Sequence, residues 1–433
     1  MIVKPFSGSG FEDHNGPSGE MIPGRNPDGE TEMSDPVTRR SVLRLGVTGL
    51  IASQVTRSSM ARVDPQPPTL PSRPFLTPGK DFQDVSRGNP VPHTLKGDAL
   101  LKARLTPETW RMEIAAEDKA TIESPLTLDL QALHKLGEKH GVCFLKAMQC
   151  NNIALPLGQG LWEGVPLREV LKRCGKLENA RRVFYWGFHN DDSKQMFRSS
   201  LALNQVLDTP PGELPPFVAY RLNGEPIPLE RGGPVRMVVP WAHGFKSIKW
   251  LQNIVCTNRY EANDTYALQN NDPESYLKTA AYFDRTKTES FPQGKPIHVH
   301  GTAMVGWPGL DRVEYWLRPD TGAGGKLDDK DPAWTKAEWK TATIDPFPSN
   351  WGGLPTGVQP KDVWGFGADG KPKKWPMRYS VALWSLVLKD LKPGAYELRV
   401  RTVDENGIAQ PEPRPNPRSG RNRIVCKLIT VTA

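Results

Sequence analysis

Val142-Cys143-Phe144-Leu145-Lys146-Ala147-Met148 runs into Gln149-Cys150-Asn151-Asn152, and this stretch decides how the rest of the chain is read. A mostly apolar run of this length has the character of a buried strand. The two asparagines after Cys150 mark where it gives way to a polar loop. One thiol is thereby delivered to a strand end. A thiol there can be a soft metal ligand, a nucleophile working with a histidine such as His189 or His243, or an inert core residue. Zinc does not suit the position, because it takes three or four clustered ligands and none flank Cys150.

Further along, Tyr220-Arg221-Leu222-Asn223-Gly224-Glu225-Pro226 carries an Asn-Gly pair after a β-rich run, a strong hairpin signal. Gly233-Pro234-Val235-Arg236-Met237-Val238-Val239-Pro240-Trp241 follows, and then His243-Gly244-Phe245-Lys246-Ser247-Ile248-Lys249-Trp250-Leu251. Arg236 and Lys249 bracket these last stretches, with Lys246 and Ser247 between them.

Around these stretches the chain reads as α+β. Its 433 residues exceed one ordinary core, and 42 prolines with 39 glycines favour turns and short strands over long helices. Residues 61–95 are Pro-rich and read as an extended arm. Strands are expected at Thr109 to Ala116, Cys143 to Cys150 and Arg182 to Phe188. Helices are expected at Leu128 to Lys139, after Pro166, and at Leu201 to Leu207. Beyond about residue 285 helical periods stop. Ile297–Val305, Arg312–Leu317, Arg378–Leu388, Ala395–Val403 and Ile424–Val431 read as strands of a sandwich, with 319–375 as a long Trp/Pro/Gly-rich loop. The expected division is a leader over 1–60, a mixed α/β domain over 61–285 and an immunoglobulin-like β-sandwich over 286–433.

Charge and cysteine content narrow the function. The net charge is +8, and residues 1–60 hold six basic and seven acidic side chains, so the surplus lies in the body. It is too diffuse for a nucleic-acid reader, which needs a basic stripe or a recognisable motif. Cys143, Cys150, Cys174, Cys256 and Cys426 are odd in number and spread apart, which excludes a disulfide framework, a zinc ribbon and covalent c-type haem. No apolar stretch is long enough to span a membrane. Thr38-Arg39-Arg40-Ser41-Val42-Leu43-Arg44 before a short apolar segment has the pattern of a twin-arginine export signal, which carries folded, cofactor-loaded proteins to the periplasm.

Four motifs in register resemble the sulfite oxidase family of molybdenum enzymes: Gln149-Cys150; Tyr220 with Asn223-Gly224 and Pro228; Gly232-Gly233-Pro234-Val235-Arg236 to Pro240; and Gly244-Phe245-Lys246-Ser247-Ile248-Lys249-Trp250-Leu251. With Trp384, Asp404, Gly407 and Gln410-Pro411, the resemblance covers about 105 to 433. It implies a molybdenum–molybdopterin cofactor, with Cys150 as the protein ligand to the metal. It also implies Arg236, His243, Lys246, Ser247 and Lys249 around the pterin, Tyr220 as an active-site phenol and a homodimer formed through the sandwich. Arg87-Gly88-Asn89-Pro90-Val91-Pro92-His93 is similar to a shortened cofactor contact of the family. The family's arginine after the ligand cysteine is missing, since Asn151-Asn152-Ile153-Ala154-Leu155-Pro156 stands there. Arg378 and Arg198 are candidates to replace it. The implied chemistry is oxygen-atom transfer on a small oxo-anion or sulfur compound, with electrons leaving to a separate c-type cytochrome. A reductase of a sulfoxide or other oxo compound is the alternative within the cofactor class, and a cofactor-free binding or structural protein the alternative outside it.

Overall fold

The computed structural model describes residues 74–433 apart from 152, 154, 269–271, 275, 286, 321–331 and 411–421. The twin-arginine motif, and part of the long loop expected over 319–375, lie outside the described residues. Two small sheets build the N-terminal lobe. One has the strand order Leu126–Asp129, Arg111–Glu117, Leu251–Thr257, Arg182–Gly187, Arg198–Ala202, with a parallel pair between Arg111–Glu117 and Leu251–Thr257. The other runs Glu225–Pro226, Phe217–Leu222, Gly158–Pro166, Val142–Met148, and Arg236–Val238 adds to the Phe217 strand. Trp110, Trp162, Tyr185, Phe144 and Phe217 are wholly enclosed in the core shared by both sheets.

Helix is scarce, as the proline and glycine content implies. Leu130–His140 is the longest described helix. Asp129 caps it, its carboxylate accepting from the Ala132 amide at 2.8 Å, which satisfies one of the first-turn donors. The helix therefore starts two residues later than the leucine spacing suggests. The helix expected from Leu201 is shorter than expected: Arg198–Ala202 is strand, and only Leu203–Leu207 is helical. Edge pairing with Arg182–Gly187 outweighs the local amphipathic period there. The Asn223-Gly224 hairpin forms as read, with φ of 54° and 80° at the two turn residues.

Eight strands form one hydrogen-bonded path in the C-terminal part: Ala280–Phe283, Ile297–Met304, Val381–Leu388, Lys340–Ile344, Arg312–Pro319, Gly394–Val403, Val425–Thr432, Glu289–Pro292. Lys340–Ile344 turns the path back, pairing at one end with Arg312–Pro319 and at the other with Val381–Leu388. Trp384, Phe283, Val313 and Leu398 fill the core between the strands. The pairing begins at Ala280, five residues ahead of the expected change in character. The long loop is not idle. Val363, Phe366 and Met377 pack on Cys143, Leu145 and Leu161, and the Trp364 amide donates to the Cys143 carbonyl at 2.8 Å. The loop thus covers one face of the Val142–Met148 strand and fixes the strand that leads to Cys150. No described helix is long and apolar enough to cross a membrane.

Candidate functional site

The strand ends at Met148, and Gln149 turns the chain. Its side-chain amide donates to the carbonyls of Cys150 and Ile153, and its own carbonyl accepts from the Gly244 amide at 2.7 Å. A methyl group at Gly244 would stand 3.3 Å from that carbonyl, so glycine allows the close approach. The sequence-distant turn at 243–247 is thereby bolted to the base of the Cys150 loop. Cys150 is partly exposed, whereas Cys143, Cys174 and Cys256 are buried. Burial pushes the thiols of Cys143 and Cys256 up to about 12, so neither supplies a thiolate at neutral pH.

Arg236 opens the Arg236–Val238 strand and lies under the 243–247 turn. Its guanidinium donates to the Arg231 and Ser247 carbonyls, both at 2.6 Å, and sits 5.1 Å from the Trp162 ring centre. Burial, then the neighbouring Arg231, lowers its pKa to about 9. Lys249 donates to Asp84 Oδ1 at 2.9 Å, and to Ser86 Oγ and the Glu230 carbonyl at 2.6 Å. Burial, then Arg236, lowers it to about 8. Burial alone would raise the Asp84 carboxyl, but hydrogen bonds from Ser86 and Lys249 hold it at about 2. The Pro-rich arm is thus tied down beside Lys249. His93, from the segment 87–93, adds a ring near Trp250 and lies 3.7 Å from Asp84. His243 is 2% exposed, and burial, then Lys146, holds its ring down at about 3, so it is neutral.

Three of the expected roles need correction. Lys246 does not point toward Arg236: its ammonium donates to the Ser200 carbonyl at 2.6 Å and stands 3.7 Å from Asp264, enclosed beneath the Arg198–Ala202 strand. Lys246 ends the Gly244–Lys246 3₁₀ turn and Lys249 lies beyond it, so their spacing does not put them on one face. The Ser247 amide is spent on the Gly244 carbonyl at 3.0 Å and its hydroxyl on the Val239 amide at 3.2 Å, which leaves Ser247 as a brace for the turn. Tyr220 lies apart from the cationic group. Its hydroxyl meets Glu163 at 3.2 Å and its ring packs 4.5 Å from His134 on the Leu130–His140 helix. The cause is an irregularity between Glu163 and Gly164, opposite which Tyr220 is the extra residue.

Arg378, expected beside the substrate, is paired. Its guanidinium donates to Glu213 at 2.8 Å, and Glu213 also takes the Tyr379 hydroxyl at 3.3 Å. The Tyr379 carbonyl accepts from the Ala147 amide at 2.7 Å, three residues before Cys150. Arg198 is also occupied, donating to the Asn263 carbonyl at 2.6 Å and lying over Phe184. Tyr276 packs on Trp307 at 4.9 Å between ring centres, and the following residue, Leu277, donates to the Trp241 carbonyl.

Sequence reasoning missed Arg231 and Lys146. Arg231 is 7% exposed and ends the turn that Gly232 closes. A second arginine five residues before Arg236, across a Gly-Gly turn, was the signal for it. Lys146 is wholly buried, its ammonium on the carbonyls of Pro240 at 2.7 Å and Ala242 at 3.3 Å. Its signal was a lysine inside an otherwise apolar strand.

The polar atoms left over test what belongs here. The Nε atoms of Arg231 and Arg236 and both ring nitrogens of His243 are buried with no hydrogen-bond partner among the described residues. Native interiors pair such groups, so unpaired donors beside Arg231, Arg236, Lys249 and Lys146 fit an anionic ligand with many acceptor atoms. No three of His, Cys, Asp and Glu cluster to hold a metal among the described residues. A metal at Cys150 would therefore draw its other ligands from a cofactor. Residues 99–265 match the oxidoreductase molybdopterin-binding domain. The matched domain makes this a molybdopterin oxidoreductase, and the chain is similar to the sulfite oxidase family.

The match to a molybdopterin-binding domain brings the molybdenum cofactor and sets aside the cofactor-free alternative. The chain is 25% identical over 372 residues to inducible nitrate reductase (NADH) 2 of Glycine max, covering 81% of this chain and 38% of that one. It is 28% identical over 207 residues to the mitochondrial sulfite oxidase of Rattus norvegicus, covering 43% of this chain and 34% of that one. The chain thus spans well under half the length of these curated relatives. Among solved structures, the sulfane dehydrogenase SoxCD from Paracoccus pantotrophus shares the fold, with a TM-score of 0.51 at 15% identity over 86% of this chain and 98% of that one.

Proposed function

We propose that this chain oxidises a reduced sulfur compound by oxygen-atom transfer and passes the electrons to a separate c-type cytochrome. The observation that carries this reading is the charge balance at the mouth. Arg378, next to the Tyr379 whose carbonyl accepts from Ala147, is neutralised by Glu213 at 2.8 Å. Tyr276 and Trp307 pack on each other and are partly exposed, while Tyr379 lies buried with its hydroxyl on Glu213. An oxyanion such as sulfite or nitrate needs uncompensated cations on its oxygens, whereas a lone-pair sulfur is polarisable and suits an aromatic, neutral mouth.

When bound, the molybdopterin supplies the two-electron oxygen-atom chemistry. The chain supplies the rest. We assign Cys150 as the protein ligand to molybdenum, and Arg231, Arg236 and His243 as the donors that the pterin and its phosphate would satisfy. Lys249, held by Asp84 and Ser86, closes the arm over that side. Neutral His243 can donate one hydrogen bond and accept another without adding charge. The sulfane dehydrogenase title of the structural neighbour agrees with a reduced-sulfur substrate, while the nitrate reductase and sulfite oxidase relatives name oxyanions.

A reductive direction, on a sulfoxide, is the second reading, since the same neutral mouth admits an uncharged oxo compound. The C-terminal strands are assigned an immunoglobulin-like sandwich that pairs two copies, and the twin-arginine motif assigns the chain to the periplasm. Turnover of holoprotein against an uncharged thioether, thiosulfate, sulfite, nitrate and a sulfoxide, with cytochrome c or a viologen as electron partner, tests the reading. Cytochrome c reduction with a higher kcat/KM for the uncharged thioether than for sulfite or thiosulfate is expected. A preference for sulfite, or turnover only in the reductive direction, would overturn it.

A further inference from the structure

Lys146 places an amine, which burial lowers to about 7, where no carboxylate among the described residues offers a counter-charge. It is 0% exposed, and no carboxylate lies within ion-pairing distance of it among the described residues. Its nearest charged neighbours are cationic: Arg236 lowers its pKa, and Lys146 in turn depresses His243. Burying an unpaired ammonium costs several kcal/mol, roughly, and an apolar side chain would avoid that cost. An aliphatic residue would suit the strand, as Leu145 and Ala147 do on either side.

The position explains what the charge is for. The strand carrying Lys146 ends at Met148, two residues before Cys150. Its ammonium reaches across to the Pro240 and Ala242 carbonyls, which bracket Trp241 and lead directly into His243. Its backbone carbonyl accepts the Trp162 indole N–H at 3.3 Å, and the other cation of the site, Arg236, lies over that indole at 5.1 Å. Tyr379, the residue that accepts from Ala147, presents its ring 6.0 Å from the ammonium. One lysine therefore joins the strand bearing Cys150, the turn bearing His243 and the ring supporting Arg236.

We propose that Lys146 is a positioning residue of the cofactor site, which clamps the Pro240–Ala242 turn so that His243 and Gly244 meet Gln149, and whose charge is completed by the anionic cofactor. The proposal rests on the reading of Cys150 as the protein ligand. The two parts of the role separate by substitution. Lys146→Gln keeps N–H donors for the two carbonyls but removes the charge. Lys146→Met removes both, and Lys146→Arg keeps the charge.

The readouts are molybdenum retained per chain in mild urea and the midpoint potential of the molybdenum couple in full-length holoprotein. Loss of a nearby positive charge disfavours the electron-rich reduced state. The Gln variant is therefore expected to retain cofactor but shift to a more negative potential, while the Arg variant stays nearer wild type. The Met variant is expected to shed cofactor about tenfold faster or more, the loss typical when outer support of a metal site is removed. If the Gln variant has the wild-type potential, the charge role is overturned, and this decides even where the Met variant does not fold. If the Met variant also retains cofactor as wild type does, the clamp is overturned too. A Cys150→Ser protein with an unchanged molybdenum spectrum would instead sink the ligand reading itself, whatever the Lys146 variants do.

Discussion

Replacing Glu213 by glutamine should turn the mouth of the site into an anion trap. Arg378 and Glu213 are 2.8 Å apart, with 28% and 24% of their side chains exposed. Glutamine keeps the size and one carbonyl for Arg378 and the Tyr379 hydroxyl, so the packing survives while one negative charge is lost. An anion held about 6 Å from the lost carboxylate is relieved of roughly 1–2 kcal/mol of repulsion, taken between the water limit and an effective dielectric constant of about 20. That corresponds to about a tenfold fall in KM for sulfite, with kcat nearly unchanged because the relief acts on binding. A neutral sulfur substrate should barely respond. The assay is steady-state reduction of cytochrome c with each substrate at low and high salt. The gain for sulfite should fade as salt rises, since partly exposed charges are screened. A sulfite KM that is unchanged or raised in Glu213→Gln would refute the electrostatic argument for substrate choice.

Other consequences follow from the buried cations. Arg236→Lys keeps a charge but cannot reach the Arg231 and Ser247 carbonyls together, so cofactor content per chain should fall by about tenfold or more, measured by metal analysis. Lys146 at about 7 and Lys249 at about 8 both lie below their ordinary value of 10.5, so the unfolded chain binds more protons than the folded one between pH 7 and 10. The stability of cofactor-free protein should therefore rise with pH across that window, in urea melts, and less so in Lys146→Met; a fall would contradict the buried-cation picture. Exchanging Arg39 and Arg40 for lysines should leave the protein in the cytoplasm, as cell fractionation would show; unchanged export would remove the periplasmic assignment.

Much of the scaffold was legible because it follows local rules. The apolar run into Gln149-Cys150 became a strand ending at Met148, and the Asn223-Gly224 turn adopted the left-handed backbone that such a pair favours. The strands from Ile297 onward fell within one or two residues of their alternating patterns, apart from the Arg378 start and the missed Lys340–Ile344, which hides in a Trp-rich loop. The site was legible as a set of positions but not as a set of directions. Tyr220 is turned toward the helix because it is the extra residue of a bulge in its own strand, and no glycine or proline beside it announces one. Lys246 is drawn inward by Asp264, a residue eighteen positions away in a loop without a motif. The pairing of Arg378 with Glu213 joins residues 165 apart, and only tertiary structure reveals that this arginine is neutralised. Arg231 and Lys146 were passed over for the opposite reason: each is a single charge in an apolar or glycine-rich setting, significant only once burial is known.

The central claim is that Cys150 and the 231–249 cations together hold molybdopterin, with the Cys150 sulfur on the metal. Molybdenum X-ray absorption on holoprotein and on Cys150→Ser, alongside molybdenum per chain, tests it most directly. Near-stoichiometric molybdenum in wild type, with one sulfur ligand fewer in the variant, is the expected result. Molybdenum absent from wild type made in cells proven to assemble the cofactor, or an identical sulfur shell in both proteins, would contradict it.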